Sequence, residues 1–354
     1  MNEKNFIPKT TLIGLSGGID SAVAAKLLLT AGFNVIGIHL RLWHEKKDTL
    51  KKREKLTKKV AQKIGIPLLI IDAEKNFTKY VVNDFWKELK TGGTPNPCVE
   101  CNYYVKFQLL NNLAKKLKAD YLATGHYARI KKEFKKGRPI YKLLRAADRN
   151  KDQSYFLWRL NQQLLQKIIF PLSIFSKDEV REMARRWRLN FKPAESQNIC
   201  FSNNLKELII KKIKPPKGNI IDALSGKVLG QHLGLPLYTI GQRKNIRLPA
   251  KEPYYVIKKD LKKNTLIIVP ASAKKILKQN VVRLSKIHFI GPKPKLPLNC
   301  KAKLRYRSKA ITAQVCHHQF YYLKFKKPVF APTPGQSAVF YLKNEVIGGG
   351  VIKK

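Results

Sequence analysis

The chain has 354 residues and carries 71 Lys and Arg against 23 Asp and Glu, a formal net charge of +48. This length allows two or three domains with a substantial core; no apolar run of about 18 residues is present to cross a membrane, and the opening residues lack the apolar core of a secretory signal. The charge fits a polyanionic partner, nucleic acid above all, and equally a general drift towards lysine; the five scattered cysteines exclude a disulfide scaffold, so a cytosolic protein is expected.

Residues 11–15 (TLIGL) read as a short buried strand, SGGIDS as a turn, and AVAAKLLLTAG as a helix ending on Gly32. NVIGIHL (34–40) is a second strand, a charged helix runs from about 47 to 64, and PLLII (67–71) is a third strand. A helix over 75–90, a loop over 91–98 and a helix over roughly 101–118 lead to the strand DYLATGH (120–126). This alternation predicts an α/β fold with a doubly wound parallel sheet, whose ligands bind at the carboxyl ends of the strands. Both SGGIDS and ATGH lie at such ends. Residues 131–145 read as a hairpin about Lys136 and Gly137, and 154–190 turn helical. After Cys200 the chain becomes glycine-rich with short strands, which suggests a small central domain. From about 278, short strands at near-regular spacing predict an antiparallel β-barrel. The expected division is 1–204, 205–277 and 278–354.

GLSGGIDS (Gly14 to Ser21) joins a strand to a helix. It is neither a Walker A sequence, which needs a lysine after its last glycine, nor GxGxxG. Ser16, Gly17, Gly18 and Ser21 surround a helix N-terminus, where bare N–H groups, hydroxyls and the helix dipole favour a phosphate or pyrophosphate. Asp20 is a candidate to orient the turn or to hold Mg2+. An ordinary strand-to-helix turn, capped by Ser16 or Asp20, is the competing reading.

TPNPCVECN (Thr94 to Asn102) contains a CxxC formed by Cys98 and Cys101. Zinc would need a second such pair, and none is present; His317 and His318 are adjacent and diverge on a strand. A redox CxxC normally opens a helix in a thioredoxin-like unit that has no ATP loop. Sulfur transfer through a cysteine persulfide needs two cysteines that meet in space, and Cys101 and Cys200 fit. Both are expected as thiolates, because positive surroundings and a helix N-terminus near residue 101 lower a thiol pKa. Cys300 and Cys316 read as buried structural cysteines.

SGGIDS resembles the pyrophosphate motif of the PP-loop ATPases, an adenine nucleotide alpha hydrolase-like group that adenylates a substrate oxygen. GLSGGIDSAVAA, TPNPCVECN, ATGHYARI, KDQSYFLW, ESQNICF, YTIGQRK, RYRS and PTPGQSAVFY follow in this order over nearly the whole chain. Together they resemble the tRNA-specific 2-thiouridylase (MnmA/TrmU) family. The resemblance implies ATP-dependent thiolation of C2 of the wobble uridine in tRNAs for Lys, Glu and Gln. It implies an ATP site at Gly14, Leu15, Ser16, Gly17, Gly18, Ile19, Asp20 and Ser21, with Leu40 against adenine and Gly125 lining the nucleotide. Cys101 would be the nucleophile and Cys200 the persulfide carrier, joined transiently by a disulfide. Asn96, Pro97 and Cys98 would face the target base; some members carry Asp in place of Cys98, a carboxylate able to act as general acid or base. His126, Lys151, Asp152, Gln153, Arg305, Tyr306 and Gln336 would contact tRNA. Arg305 and Arg307 are expected on one face of a strand, with Tyr306 between them. ATP with Mg2+ is the expected cosubstrate, with no resident metal or permanently bound cofactor. The expected partners are the anticodon arm of tRNA and a cysteine desulfurase, acting directly or through a relay protein. Two other readings stay open: a PP-loop synthetase acting on a small molecule, and a tRNA-binding module with a degenerate loop.

Overall fold

A computed structural model describes residues 8–189, 199–246, 248 and 252–353; residues 195–198 of ESQNICF lie outside them. Strands β1 (Thr10–Gly14), β2 (Asn34–Arg41), β3 (Leu68–Asp72) and β4 (Tyr121–Thr124) form the expected parallel sheet, in the order β3-β2-β1-β4. Alternation along β1 decides what each face of the sheet packs against. Leu12 joins Phe107, Leu110 and Trp158 on one face, and Ile13 joins Val23, Val60 and Val180 on the other. Helices α1 (Ile19–Thr30) and α2 (Lys47–Ile64), with the helix Lys177–Arg186, supply the second face.

The first face is supplied by one helical run. It starts at Pro97 rather than near residue 101: the helix Pro97–Glu100 continues into a π-helical segment, Cys101–Phe107, and then the helix Gln108–Lys116. The prolines of TPNP suggest a loop, but Pro97 occupies the first helical position, where the missing N–H has no partner to lose.

The hairpin β5 (Ala128–Lys135) and β6 (Arg138–Arg145) turns on Lys136 and Gly137, both at positive φ (49° and 72°). β7 (Ile168–Ile169) adds a fifth parallel strand beside β4. It interrupts the stretch 154–190, which is less helical than its composition suggests. After the helix Leu205–Ile213 come β8 (Gly218–Asp222), β9 (Val228–His232), β10 (Tyr254–Asp260) and β11 (Thr265–Pro270). They form one sheet in the order β10-β11-β8-β9.

The C-terminal strands are β12 (Lys278–Phe289), β13 (Leu298–Lys303), β14 (Ile311–His317), β15 (Tyr321–Phe330), β16 (Ser337–Leu342) and β17 (Glu345–Ile352). They close into an antiparallel barrel through the β12–β17 pairing. β17 also pairs with β6, setting Val346 opposite Leu143, so the hairpin extends the barrel's sheet. Trp158 and Tyr155, both fully buried, reach the barrel from the parallel-sheet side: the Trp158 indole donates to Ser337 Oγ (3.1 Å) and the Tyr155 hydroxyl to the Ser337 carbonyl (2.8 Å). Among the described residues no helix is long and apolar enough to cross a membrane.

This shared core yields a prediction. Trp158→Ala should cost about 3–5 kcal/mol, the usual loss for a fully buried large aromatic. It would appear as a lower denaturant midpoint followed by circular dichroism. A loss under about 1 kcal/mol would mean that the two parts do not share a core at Trp158.

Candidate active site

The SGGIDS turn closes on its own hydroxyls. Ser21 Oγ donates to the Gly18 carbonyl (3.0 Å) and accepts from the Ser16 N–H (3.2 Å), while Gly17 takes φ +79°. Gly18 precedes α1 and no side chain caps the helix, so the Ser16 or Asp20 cap does not form. First-turn N–H groups without a side-chain cap are what a phosphate completes. Asp20 Oδ1 accepts from Lys177 Nζ and the Tyr127 hydroxyl, so Asp20 braces the turn. At Gly125 the close approach is made by protein. A Cβ there would lie 2.8 Å from backbone atoms of Asp20 and Ser21. The missing side chain therefore lets the end of β4 seat against the start of α1.

A cavity of about 390 Å³ opens at the carboxyl ends of β1, β2 and β4. Gly14, Leu15, Ser16, Asp20, Ser21 and Gly125 line one side, and Ile38, Leu40, Leu42, Leu50 and Leu110 form an apolar wall. Arg53 and Lys106 add positive charge, and Cys200 and Gln153 complete the lining. An apolar slot beside an uncapped helix N-terminus and two cations fits a purine nucleotide with its phosphates. His126 also faces this cavity. Its Nδ1 meets Thr124 Oγ1 (2.8 Å), its ring packs near Phe107 and Phe170, and burial pushes its pKa well below the usual range. It is neutral, and offers no charge to a tRNA phosphate.

The cysteines gather beside this cavity. Cys101 is 5% exposed and packs in one apolar cluster with Ile199 and Phe201, the neighbours of Cys200. Cys98 and Cys200 are exposed, and all five cysteines are free. Cys98 lines a second cavity of about 800 Å³, together with Asn96, Pro97, Phe156, Ile199 and Tyr238. The expectation of resting thiolates is not met. Burial pushes the Cys101 thiol up to about 12; at Cys98 (about 11) and at Cys200, whose surfaces open onto the cavities, the packed walls around them still withhold enough water to raise the thiol. The physical reason is the helix start at Pro97: Cys101 lies one turn inside the helix, behind apolar side chains, and not at its N-terminus.

Lys106 acts against this burial. It is the nearby cation that favours the thiolate at Cys98, Cys101 and Cys200 alike, and Arg53 adds to it at Cys200. Sequence spacing hides it. On an α-helix, a residue five positions after Cys101 points about 140° away. The π-helical segment, whose bonds run from i to i+5, turns Lys106 back towards the face of Cys101.

The remaining candidates divide between internal bonds and a basic cleft. Gln336 Nε2 donates to the Thr94 and Pro95 carbonyls (both 3.1 Å), and the Thr94 N–H donates to the Pro334 carbonyl (2.8 Å). Gln336 thus clasps the TPNPC loop. Arg305 does not lie on a strand: β13 ends at Lys303, and RYRS forms the turn that follows. Its guanidinium donates to the Ile240 and Ala331 carbonyls and to Thr333 Oγ1, which ties the segment between β9 and β10 to the one between β15 and β16. Tyr306 packs against Phe156, with ring centroids 4.4 Å apart. Asp152 is buried and accepts from Arg145 Nε and the Ala146 and Ser154 N–H groups. Gln153 Oε1 accepts from the Tyr127 N–H, and Lys151 is exposed. Arg145, Arg149, Lys301, Lys303, Arg307, Lys309 and Lys343 line a cleft of about 710 Å³ in which Asp152 is the one acid. These cations lie on three separate stretches of sequence, 145–149, 301–309 and residue 343, so no single stretch announces the cleft.

Lys106→Met should raise the thiol pKa values further and slow alkylation of Cys101 and Cys200 by iodoacetamide at mild alkaline pH. A shift of one unit is worth about tenfold in thiolate at such a pH. Lys106→Arg should retain the rate. Mass spectrometry of each cysteine follows this, and equal rates in all three proteins would remove Lys106 from the account.

The chain matches the tRNA methyl transferase HUP domain family over residues 9–204, the tRNA methyl transferase PRC-barrel domain family over 206–270 and the aminomethyltransferase beta-barrel domain family over 279–352. It is 38% identical to the tRNA-specific 2-thiouridylase MnmA of Roseiflexus sp. (strain RS-1), over 97% of this chain and 99% of that one. It is 40% identical to tRNA-specific 2-thiouridylase MnmA 1 of Geobacillus kaustophilus, over 97% and 95%. It is 40% identical to the MnmA of Mycoplasma mycoides subsp. mycoides SC, over 97% and 98%. The domain descriptions speak of methyl transfer and the full-length relatives of thiolation; three cysteines beside a nucleotide-type cavity agree with the relatives. Over nearly its whole length, this chain belongs to the tRNA-specific 2-thiouridylase family.

Proposed function

We propose that this chain is an ATP-dependent tRNA-uridine 2-sulfurtransferase, replacing the C2 oxygen of a wobble uridine with sulfur. One juxtaposition carries this reading. Cys200 stands in the wall of the cavity that SGGIDS opens, and Cys98 stands in the wall of the wider cavity next to it. ATP, with Mg2+ carried on its phosphates, suits the first. The second is wide enough for a base swung out of the anticodon loop, at a cost of a few kcal/mol.

The uridine C2 oxygen attacks the α-phosphorus of ATP and pyrophosphate leaves. A poor leaving oxygen becomes AMP. Cys200, loaded as a persulfide by a cysteine desulfurase or a relay protein, then supplies sulfur. In one route the Cys101 thiolate attacks Cys200 Sγ, the persulfide S–S bond breaks, and the freed hydrosulfide displaces AMP at C2. In the other the terminal sulfur displaces AMP first, and Cys101 then attacks Cys200 Sγ to release the thiolated base. Both end in a Cys101–Cys200 disulfide, which needs two electrons from an external reductant. Cys101 must lose a proton for either route, and Lys106 is the cation placed to hold the resulting charge.

The basic cleft suits the phosphates of the anticodon arm, and the cytoplasm is where such a substrate is met. A small-molecule synthetase would need neither the cysteines nor the cleft.

The deciding experiment incubates the protein with tRNA, ATP and a sulfide source and analyses the wobble nucleoside by mass spectrometry. The expected product is 2-thiouridine, made only with ATP; its absence under conditions that support tRNA binding overturns the proposal. Cys101→Ser and Cys200→Ser should each lower yield by roughly two orders of magnitude. Arg149→Ala and Arg307→Ala should each flatten the log–log salt dependence of tRNA affinity by about one; an unchanged slope would place the RNA elsewhere.

A further inference from the structure

Cys98 has no task in the sulfur transfer just described, since neither route needs a third thiol. Its position is nevertheless specific. It lies three residues before Cys101 in one continuous helical turn, and Cys101 itself keeps right-handed helical dihedrals (φ −61°, ψ −47°). Helix geometry sets α-carbons at this spacing about 5 Å apart, within the distance a disulfide spans. Cys200 is beside both. Ile199 shares an apolar cluster with Cys101 and lines the wider cavity with Cys98.

Accessibility separates the three thiols. Cys101 is buried, whereas Cys98 is exposed on the wider cavity of about 800 Å³ and Cys200 on the nucleotide cavity of about 390 Å³. At 5% exposure, Cys101 Sγ offers little surface to an external reductant, and Cys200 opens only into the nucleotide cavity, while Cys98 stands within one helical turn of Cys101.

We propose that Cys98 is the resolving thiol that clears the Cys101–Cys200 disulfide after each turnover. The proposal rests on the sulfur-transfer reading above. The Cys98 thiolate attacks Cys101 Sγ, the Cys101–Cys200 bond breaks, and the electron pair leaves on Cys200 Sγ, which takes up a proton. A Cys98–Cys101 disulfide forms, and Cys200 is free to accept the next persulfide. An external dithiol, protein or small molecule, then attacks the exposed Cys98 Sγ. Its two thiols become a disulfide, and Cys98 and Cys101 return to thiols. Charge favours this direction of exchange. Arg53 donates to the Cys200 carbonyl (2.8 Å) and stands with Lys106 beside the sulfur that leaves as an anion, whereas Cys101 has Lys106 alone. The thiol better held as an anion is the faster leaving group.

The test is disulfide mapping of the unmodified enzyme after one turnover. Persulfide-loaded protein reacts with tRNA and ATP without reductant, free thiols are alkylated in acid-quenched samples, and the denatured chain is cleaved under non-reducing conditions. A protease that cuts at Glu100 separates Cys98 from Cys101, so peptides that remain linked across this cut report their bond. The expected result is a Cys98–Cys101 disulfide with Cys200 alkylated. A Cys101–Cys200 disulfide with Cys98 alkylated overturns the proposal. Absence of 2-thiouridine in the same tube overturns the sulfur-transfer reading and this proposal with it, so the two failures are told apart by the nucleoside. Cys98→Ser should trap the Cys101–Cys200 disulfide and lose about tenfold in turnover at limiting dithiol, with recovery on adding a small phosphine reductant. Equal dithiol dependence in both proteins would count against the relay.

Discussion

The segment that carries Cys98 and Cys101 is held from outside its own sheet. Two carbonyls and one N–H of the TPNPC loop bond to the turn between β15 and β16, through Gln336 and Pro334. Gly335 sits so close that a Cβ on it would come within 2.7 Å of the Thr94 carbonyl. Immediately after this clasp, Pro97 starts the helix that carries both Cys98 and Cys101. The barrel therefore sets where the thiols stand. It positions the cysteine-bearing helix, in addition to presenting a basic surface.

The same design recurs in the electrostatics. The site buries a thiol among Phe77, Phe85 and Val105, which by itself keeps it protonated. Two cations from different helices, Lys106 and Arg53, partly offset that burial where Cys200 enters the wall of the cavity beside SGGIDS. A thiol that is quiet at rest and charged only when called on suits the proposed persulfide cycle, because idle thiolates invite oxidation.

Much of this was legible in the sequence where local chemistry decides. The strands around SGGIDS and ATGH, the hairpin at Lys136 and Gly137 and the short barrel strands follow from periodicity and turn residues. The motifs that carry the family resemblance pointed to the loop and the cysteine pair. What stayed hidden depends on pairing between distant segments. No local pattern says that β6 joins β17, that Arg305 leaves the strand to bond Ile240, or that Gln336 spends its amide on Thr94. Burial of Cys101 was hidden for the same reason, since its apolar cover comes from residues 77–89 and 199–209.

The π-helical segment Cys101–Phe107 carries a consequence for how this chain can vary. Composition there is free to drift wherever a side chain faces solvent. Length is less constrained than it looks. A π-helical stretch absorbs one extra residue within its turn, so loss of a single residue between Cys101 and Lys106 would return the segment to ordinary helical winding and leave the lysine four positions after the cysteine, about 40° from its face. The lysine would stay by the thiols, and Leu110 would keep the core it shares with Leu12 and Trp158. An extra residue in the ordinary helix that follows has no such slack, and would turn every later side chain by about 100°.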